Sequence, residues 1–186
     1  MNCPNCKGYS LEPVKLENDL AALGCIKCKG ALLPLISYRE WSERHTDEVK
    51  SCKSTSQAKA AKEEPSAKFC PKCSKIMTKF RISSEADNKL DFCNGCYEAW
   101  LDSGEWQLIE TFNLKDRLTV VFTESWQRRI RQEKAAEMYK QSYQNTFGSD
   151  YSKLKEIRQW LDGNKSRRAM LDYLNNPEPY GTKQIG

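Results

Sequence analysis

Eight of the nine cysteines form four Cys-x-x-Cys pairs: Cys3/Cys6, Cys25/Cys28, Cys70/Cys73 and Cys93/Cys96. Two chemistries use this spacing, metal ligation by thiolates and dithiol redox exchange. Eighteen residues separate Cys6 from Cys25 and nineteen separate Cys73 from Cys93, both within the range of about 15 to 20 that reads as a zinc site built from two pairs. The second set repeats the first at offsets of 67, 67, 68 and 68, and the repeat continues beyond the cysteines. At offset 68, Ala31 falls on Ala99, Leu32 on Trp100, Leu33 on Leu101 and Tyr38 on Trp106. Two unrelated disulfides would not share this context. Each Cys-x-x-Cys turn presents two thiolates on one side, and two turns complete a tetrahedral zinc site with no position left for water. Two structural Zn2+ per chain are therefore expected, supplying much of the folding free energy of each small unit. Cys3-Pro4-Asn5-Cys6 and Cys70-Pro71-Lys72-Cys73 also look like redox turns, but no βαβ pattern surrounds either one.

The remaining reactive groups read as structural or solvated. Cys52 has no partner pair and is expected to be a free thiol in a polar segment; His45, the only histidine, follows Glu43 and Arg44 on a polar stretch. Asp102 and Glu105 are a tempting carboxylate pair, yet at a helix start capping is a sufficient role. No phosphate-binding loop, dinucleotide fingerprint or nucleophile with its base is present, so the expectation is a protein without catalytic residues and without a small-molecule substrate.

The second repeat, CPKC at 70–73 with CNGCYEAWLDSGEW at 93–106, resembles the transcription-factor-type (TFIIB-type) zinc-ribbon family, which expects a second Cys-x-x-Cys followed by a glycine, an aromatic, Leu-Asp and Gly-Glu. The first repeat, CPNC at 3–6 and CIKCKGALLPLISYREW at 25–41, keeps the ligands and Gly30 but lacks the Leu-Asp-x-Gly-Glu tail; the second keeps the tail but has Glu98 in place of Gly30. Two such ribbons and a helical tail look like a recurrent bacterial architecture. The resemblance implies zinc binding and suggests an assembly of transcription or translation.

These ligands need short hairpins to hold them. SLEPVKLENDLAALG and IMTKFRISSEADNKLDF each fit one, with Met77, Phe80, Ile82, Leu90 and Phe92 partly alternating and turn residues at 85–88. Trp100 and Leu101 are expected to fold over the metal site, and Ser103 to cap a helix carrying Trp106 and Ile109. Residues 45–68 have no apolar periodicity and read as a flexible linker between two separately folded ribbons. Beyond Glu110 the pattern is helical: Ser125 to Phe147, then a helix capped by Ser149 and ended by Gly163, then one begun by Ser166 and stopped before Pro177. Their aromatics are expected in the core of a small bundle. The fold class is a small metal-stabilised α+β protein: ribbon 1–44, linker 45–68, ribbon 69–109, helical domain 110–176 and tail 177–186.

The formal charge is +5, and the excess lies in the linker and the helical region, where residues 110–186 carry 14 Lys and Arg against 10 Asp and Glu. Deprotonated ligands and two Zn2+ bring the whole to about +1. Lys7, Lys27, Lys29, Lys72 and Lys75 then compensate the thiolate centres locally. Such a balance argues for a protein rather than a nucleic acid as the main partner. The best candidates for nucleic-acid contact are Arg128, Arg129, Arg131 and Lys134, with Lys165, Arg167 and Arg168, interspersed with acidic residues. No run of roughly 18 apolar residues and no leader pattern is present, which predicts a soluble, cytoplasmic protein without a membrane partner. The favoured reading is an adaptor that docks on a larger assembly; direct DNA or RNA binding and a zinc-dependent redox sensor or chaperone are the alternatives.

Overall fold

A computed structural model describes residues 1–45 and 66–176. The chain divides into two compact units, Met1–Lys134 and Ala135–Gly186. In the first unit each repeat forms three strands: β1 (Glu12–Glu17), β2 (Leu20–Gly24) and β3 (Ala31–Pro34), then β4 (Thr78–Arg81), β5 (Lys89–Cys93) and β6 (Glu98–Leu101). Both expected hairpins form, β1 with β2 and β4 with β5. Asp19, with φ 61°, turns the first, a left-handed position that Asp tolerates better than most residues.

The repeats do not fold separately. All six strands make one antiparallel sheet in the order β1-β2-β3-β6-β5-β4. β3 and β6 join the halves, with Ala31 opposite Leu101, Leu32 opposite Trp100, Leu33 opposite Ala99 and Pro34 opposite Glu98. Leu32 and Trp100 are equivalent positions of the repeat, so a pseudo-twofold axis passes through that pair, as in an isologous dimer written into one chain. The physical reason lies in composition: β3 is ALLP and β6 is EAWL, apolar on both faces apart from Glu98, and such strands are favoured in the middle of a sheet covered on both sides.

The two faces are distinct because strand side chains alternate. One face turns Leu32 and Trp100 toward a cluster containing Cys3, Cys25, Cys70, Cys93, Leu11 and Met77. The other turns Ala31, Leu33, Ala99 and Leu101 into the main core, so Leu101 does not join Trp100 over the cysteines. Helices cover this second face: α1 (Leu35–Arg44), α2 (Glu105–Thr111), the single-turn α3 (Leu118–Val121) and the start of α4 (Glu124–Phe147). Tyr38 and Trp41 of α1 and Trp106 and Ile109 of α2 are buried there, and Trp41 meets Trp106 edge-on at 5.9 Å. The Tyr38 hydroxyl donates to the Lys115 carbonyl at 2.8 Å and accepts the Leu118 N–H at 2.7 Å.

Edge strand β4 is closed by the first turns of α4. The Gln127 carboxamide accepts the Arg81 N–H at 3.1 Å and donates to the Arg81 carbonyl at 2.8 Å, standing in for a seventh strand, while the Trp126 indole donates to the Ile82 carbonyl. Occupying the main-chain groups of Arg81 and Ile82 blunts that end of the edge for pairing with another chain.

Four further expectations change. Residues 110–134, assigned to a helical domain, belong with the sheet, because Leu114, Leu118, Val121 and Ile130 complete its core. Ser103 does not cap α2; the cap position is Gly104 in the left-handed conformation, φ 89°, with no side-chain cap bond. Lys68, placed at the end of the linker, is 2% exposed; the bulk of that linker, the expected tail and Cys52 lie outside the described residues. His45 ends α1, its ring stacked on Trp41 at 5.1 Å.

The second unit contains the last turns of α4, a 3-10 turn (Gly148–Asp150), α5 (Tyr151–Asp162) and α6 (Arg167–Asn175). The helix limits agree with the sequence reading within a residue or two, although neither Ser149 nor Ser166 makes a side-chain cap bond. The aromatic core expected here does not form. Tyr139, Tyr143, Phe147, Trp160 and Tyr173 are exposed, and among the described residues of this unit Leu161 is the buried side chain. Among the described residues no helix is long and apolar enough to cross a membrane.

Candidate metal centres

Each Cys-x-x-Cys pair sits in a tight turn closed by main-chain bonds. The N–H of Lys29 returns to the Cys25 carbonyl, Ser74 to Cys70 and Tyr97 to Cys93, at 2.8–2.9 Å. The residue after the second cysteine takes a left-handed conformation in these three turns, with φ 60° at Lys29, 59° at Ser74 and 57° at Tyr97; near the first turn Gly8 has φ 85°. This chain reversal brings both sulfurs to one side.

The turns meet in two tetrads, Cys3/Cys6/Cys25/Cys28 and Cys70/Cys73/Cys93/Cys96, the sulfurs of each lying within 4.8 Å of one another. The first cysteine of each pair is buried and the second half-buried. Sγ–Sγ distances of 3.6 Å for Cys3–Cys28 and 3.5 Å for Cys73–Cys93 exclude disulfides, whose sulfurs lie about 2.05 Å apart. They do fit a tetrahedron: four sulfurs about 2.3 Å from one ion stand about 3.8 Å from each other. The donor set therefore fits a metal ion in each tetrad, which would close the two turns as a structural cross-link.

The thiols are poised unequally. Burial opposes ionisation of Cys25, but the N–H groups of Cys28 and Lys27 and the neighbouring thiols outweigh it and bring it down to about 7. The Lys75 N–H and the Cys96 thiol bring Cys73 to about 7. Burial raises Cys3, Cys28 and Cys70, while sharing with Cys73 pushes Cys96 up to about 12. Four thiolates repel one another unless a cation lies among them, and a bound divalent metal displaces the remaining protons.

A polar network unforeseen in the sequence lies between the tetrads. Asp102, 5% exposed, accepts from Asn5 at 2.7 Å and from the Trp100 indole at 2.8 Å on Oδ1, and from Lys68 at 3.0 Å on Oδ2. Lys68 also reaches Asp91 at 2.8 Å. Burial alone would raise Asp102, but Trp100 and Lys68 hold it below the usual carboxylate range. Glu105, 1% exposed, turns back to accept the Asp102 N–H at 2.8 Å, and burial, reinforced by the Asp102 charge, pushes it up to about 8. The carboxylate pair is thus sealed inside the fold, the second member closing a capping-box-like turn. Asn5, in the middle of a Cys-x-x-Cys turn, and Lys68, beside Phe69-Cys70, gave no periodic or motif signal of their own.

The basic residues singled out for nucleic-acid contact fall into two sets. Arg128, Arg129, Arg131 and Lys134 lie on α4 within the first unit; Lys165, Arg167 and Arg168 lie at α6 in the second. Arg129 stacks over Trp126 at 4.0 Å and pairs with Glu133 at 3.5 Å. Arg131 pairs with Glu124, Lys134 with Asp87, and Arg167 with Asp162. Of the lysines near the ligands, Lys72 is held by Glu98 at 2.8 Å and Lys27 lies over the Tyr9 ring. No protein-family model, curated protein or solved structure matches this chain.

Proposed function

We propose that the protein is a non-catalytic zinc protein, a fused pair of four-cysteine zinc ribbons whose helical second unit docks on a larger protein or protein–nucleic acid assembly. The observation that carries the metal part is the pair of closed all-sulfur tetrads. Four thiolates in tetrahedral reach select zinc or iron, and the two-turn spacing of the cysteines favours zinc. When bound, zinc supplies a structural cross-link and leaves no open position for catalysis.

Support for docking comes from the second unit. Met138 is 71% exposed, Tyr139 67%, Tyr173 65% and Trp160 61%, large side chains that a docked partner would cover. Several of the basic candidates are in ion pairs, which favours a protein surface over a phosphate backbone as the partner. The second repeat's likeness to transcription-factor-type ribbons points toward transcription or translation as the setting.

The test is a pull-down from lysate of the source cell with zinc-loaded bait, divided into nuclease-treated and untreated halves, with bait metal measured by elemental analysis. The expected result is about two zinc per chain and a defined protein set that survives nuclease. Recovery that collapses with nuclease, and with Arg128, Arg129 and Arg131 changed to Glu, overturns the protein-docking reading in favour of direct nucleic-acid binding.

A further inference from the structure

The two tetrads are equivalent by repeat, but their surroundings are not. In the second repeat the middle of the first turn carries Lys72, and the position two residues after the last cysteine carries Glu98; these two pair with each other at 2.8 Å. That centre is closed by its own repeat. The equivalent positions of the first repeat are Asn5 and Gly30, which cannot form an ion pair. Both are met instead by the second repeat. Asn5 donates to Asp102 at 2.7 Å, and the Trp100 ring lies so close to Gly30 that a Cβ there would stand 2.4 Å from its nearest atom.

The help is not returned. At the positions equivalent to Trp100, Asp102, Lys68 and Asp91 the first repeat has Leu32, Pro34, Met1 and Leu23, none of which carries a side-chain donor or carboxylate to offer the second tetrad. Asp102 is itself rigidly placed. Trp100 and the buried Lys68 hold its carboxylate, and Glu105 holds its main-chain N–H. A group anchored on several sides can orient the turn it touches, and partners that orient ligands govern metal retention even when they never touch the metal.

We propose that Asp102 is a positioning residue of the first metal centre, supplied from across the pseudo-twofold axis, and that through Asn5 it slows metal loss from Cys3/Cys6/Cys25/Cys28 without acting on the second tetrad. The inference rests on the metal-binding reading above. It makes the centres unequal: the second closes alone, and the first is complete only when the second repeat is folded beside it.

The full chain loaded with 113Cd provides the test, because each tetrathiolate site gives its own resonance, assigned with Cys28→Ser. On challenge with excess chelator, Asn5→Ala is expected to release cadmium from the first site about tenfold faster or more, with the second site unchanged. Asp102→Asn, which keeps an acceptor for Asn5 and Trp100, should fall between wild type and Asn5→Ala at the first site. Lys72→Ala should leave the first site at the wild-type rate. Unchanged release from the first site in Asn5→Ala overturns the proposal, and so does equal acceleration at both sites, which would mark general loosening. A wild-type chain that takes up no cadmium would instead refute the metal reading itself.

Discussion

The two repeats place their cysteines alike and differ where they face each other. Opposite one another on the pseudo-twofold axis are Leu32 and Trp100. The Trp100 ring leaves no room for a Cβ at Gly30, whereas the equivalent position of the second repeat carries Glu98, paired with Lys72. The Leu-Asp-x-Gly-Glu tail is present only after β6, and its Asp102 reaches across the axis to Asn5 of the first repeat. The two copies thus share a symmetric frame and differ in what packs at the axis. Even the helices show it: Tyr38 reaches forward to Lys115 and Leu118, while its counterpart Trp106 reaches back to Glu17 at 3.2 Å.

Emptying the axis should be the most damaging change. Trp100→Ala in the metal-loaded protein should cost about 3–5 kcal/mol in denaturant unfolding, and Leu32→Ala across from it about 2–5 kcal/mol. A loss under about 1 kcal/mol for either variant would contradict its burial at the axis. Gly30→Ala should cost about 1–3 kcal/mol through overpacking against the indole. Trp100→Leu in the same chain should recover part of that loss, since it removes the ring that a Cβ at position 30 would meet. A double-mutant cycle reads the coupling directly, and strict additivity would contradict the contact.

A separate test uses the tail that only the second repeat has. Glu105, raised from 4.5 to about 8 in the fold, binds a proton there more tightly than in the unfolded chain. Its protonated form therefore contributes stability that is complete below about pH 4.5 and is lost as pH rises toward about 8. Glu105→Gln removes this dependence. Wild-type stability should decline relative to the variant by up to about 1.4 kcal/mol per pH unit across that window. Taking the difference between the two proteins at each pH cancels the contribution of the thiols, and parallel curves would disprove the buried-acid assignment.

Much of the first unit is written locally. The ligand pairs, both hairpins and the limits of α4 follow from residue spacing, turn residues and helix stops, all of which act within a few positions along the chain. The course of α5 and α6 is equally local, but their burial is not. Apolar side chains at helical spacing, such as Tyr139, Tyr143 and Phe147, look the same whether they fill a core or await a partner, and here they are exposed. Lys68 is the converse: an isolated lysine beside a polar segment is indistinguishable from a solvated one until Asp91 and Asp102 are brought to it.

The amino-acid sequence on its own established two four-cysteine sets, their duplication and the helical character of the C-terminal region, because ligand spacing and periodicity are properties of neighbouring residues. Only the tertiary structure decided that the repeats share one sheet, that Trp100 claims the axis and Gly30 yields to it, and that Asp102 reaches Asn5 from 97 positions away. Those are choices of which surfaces meet, and a strand's apolar faces state that they must be covered without stating by what.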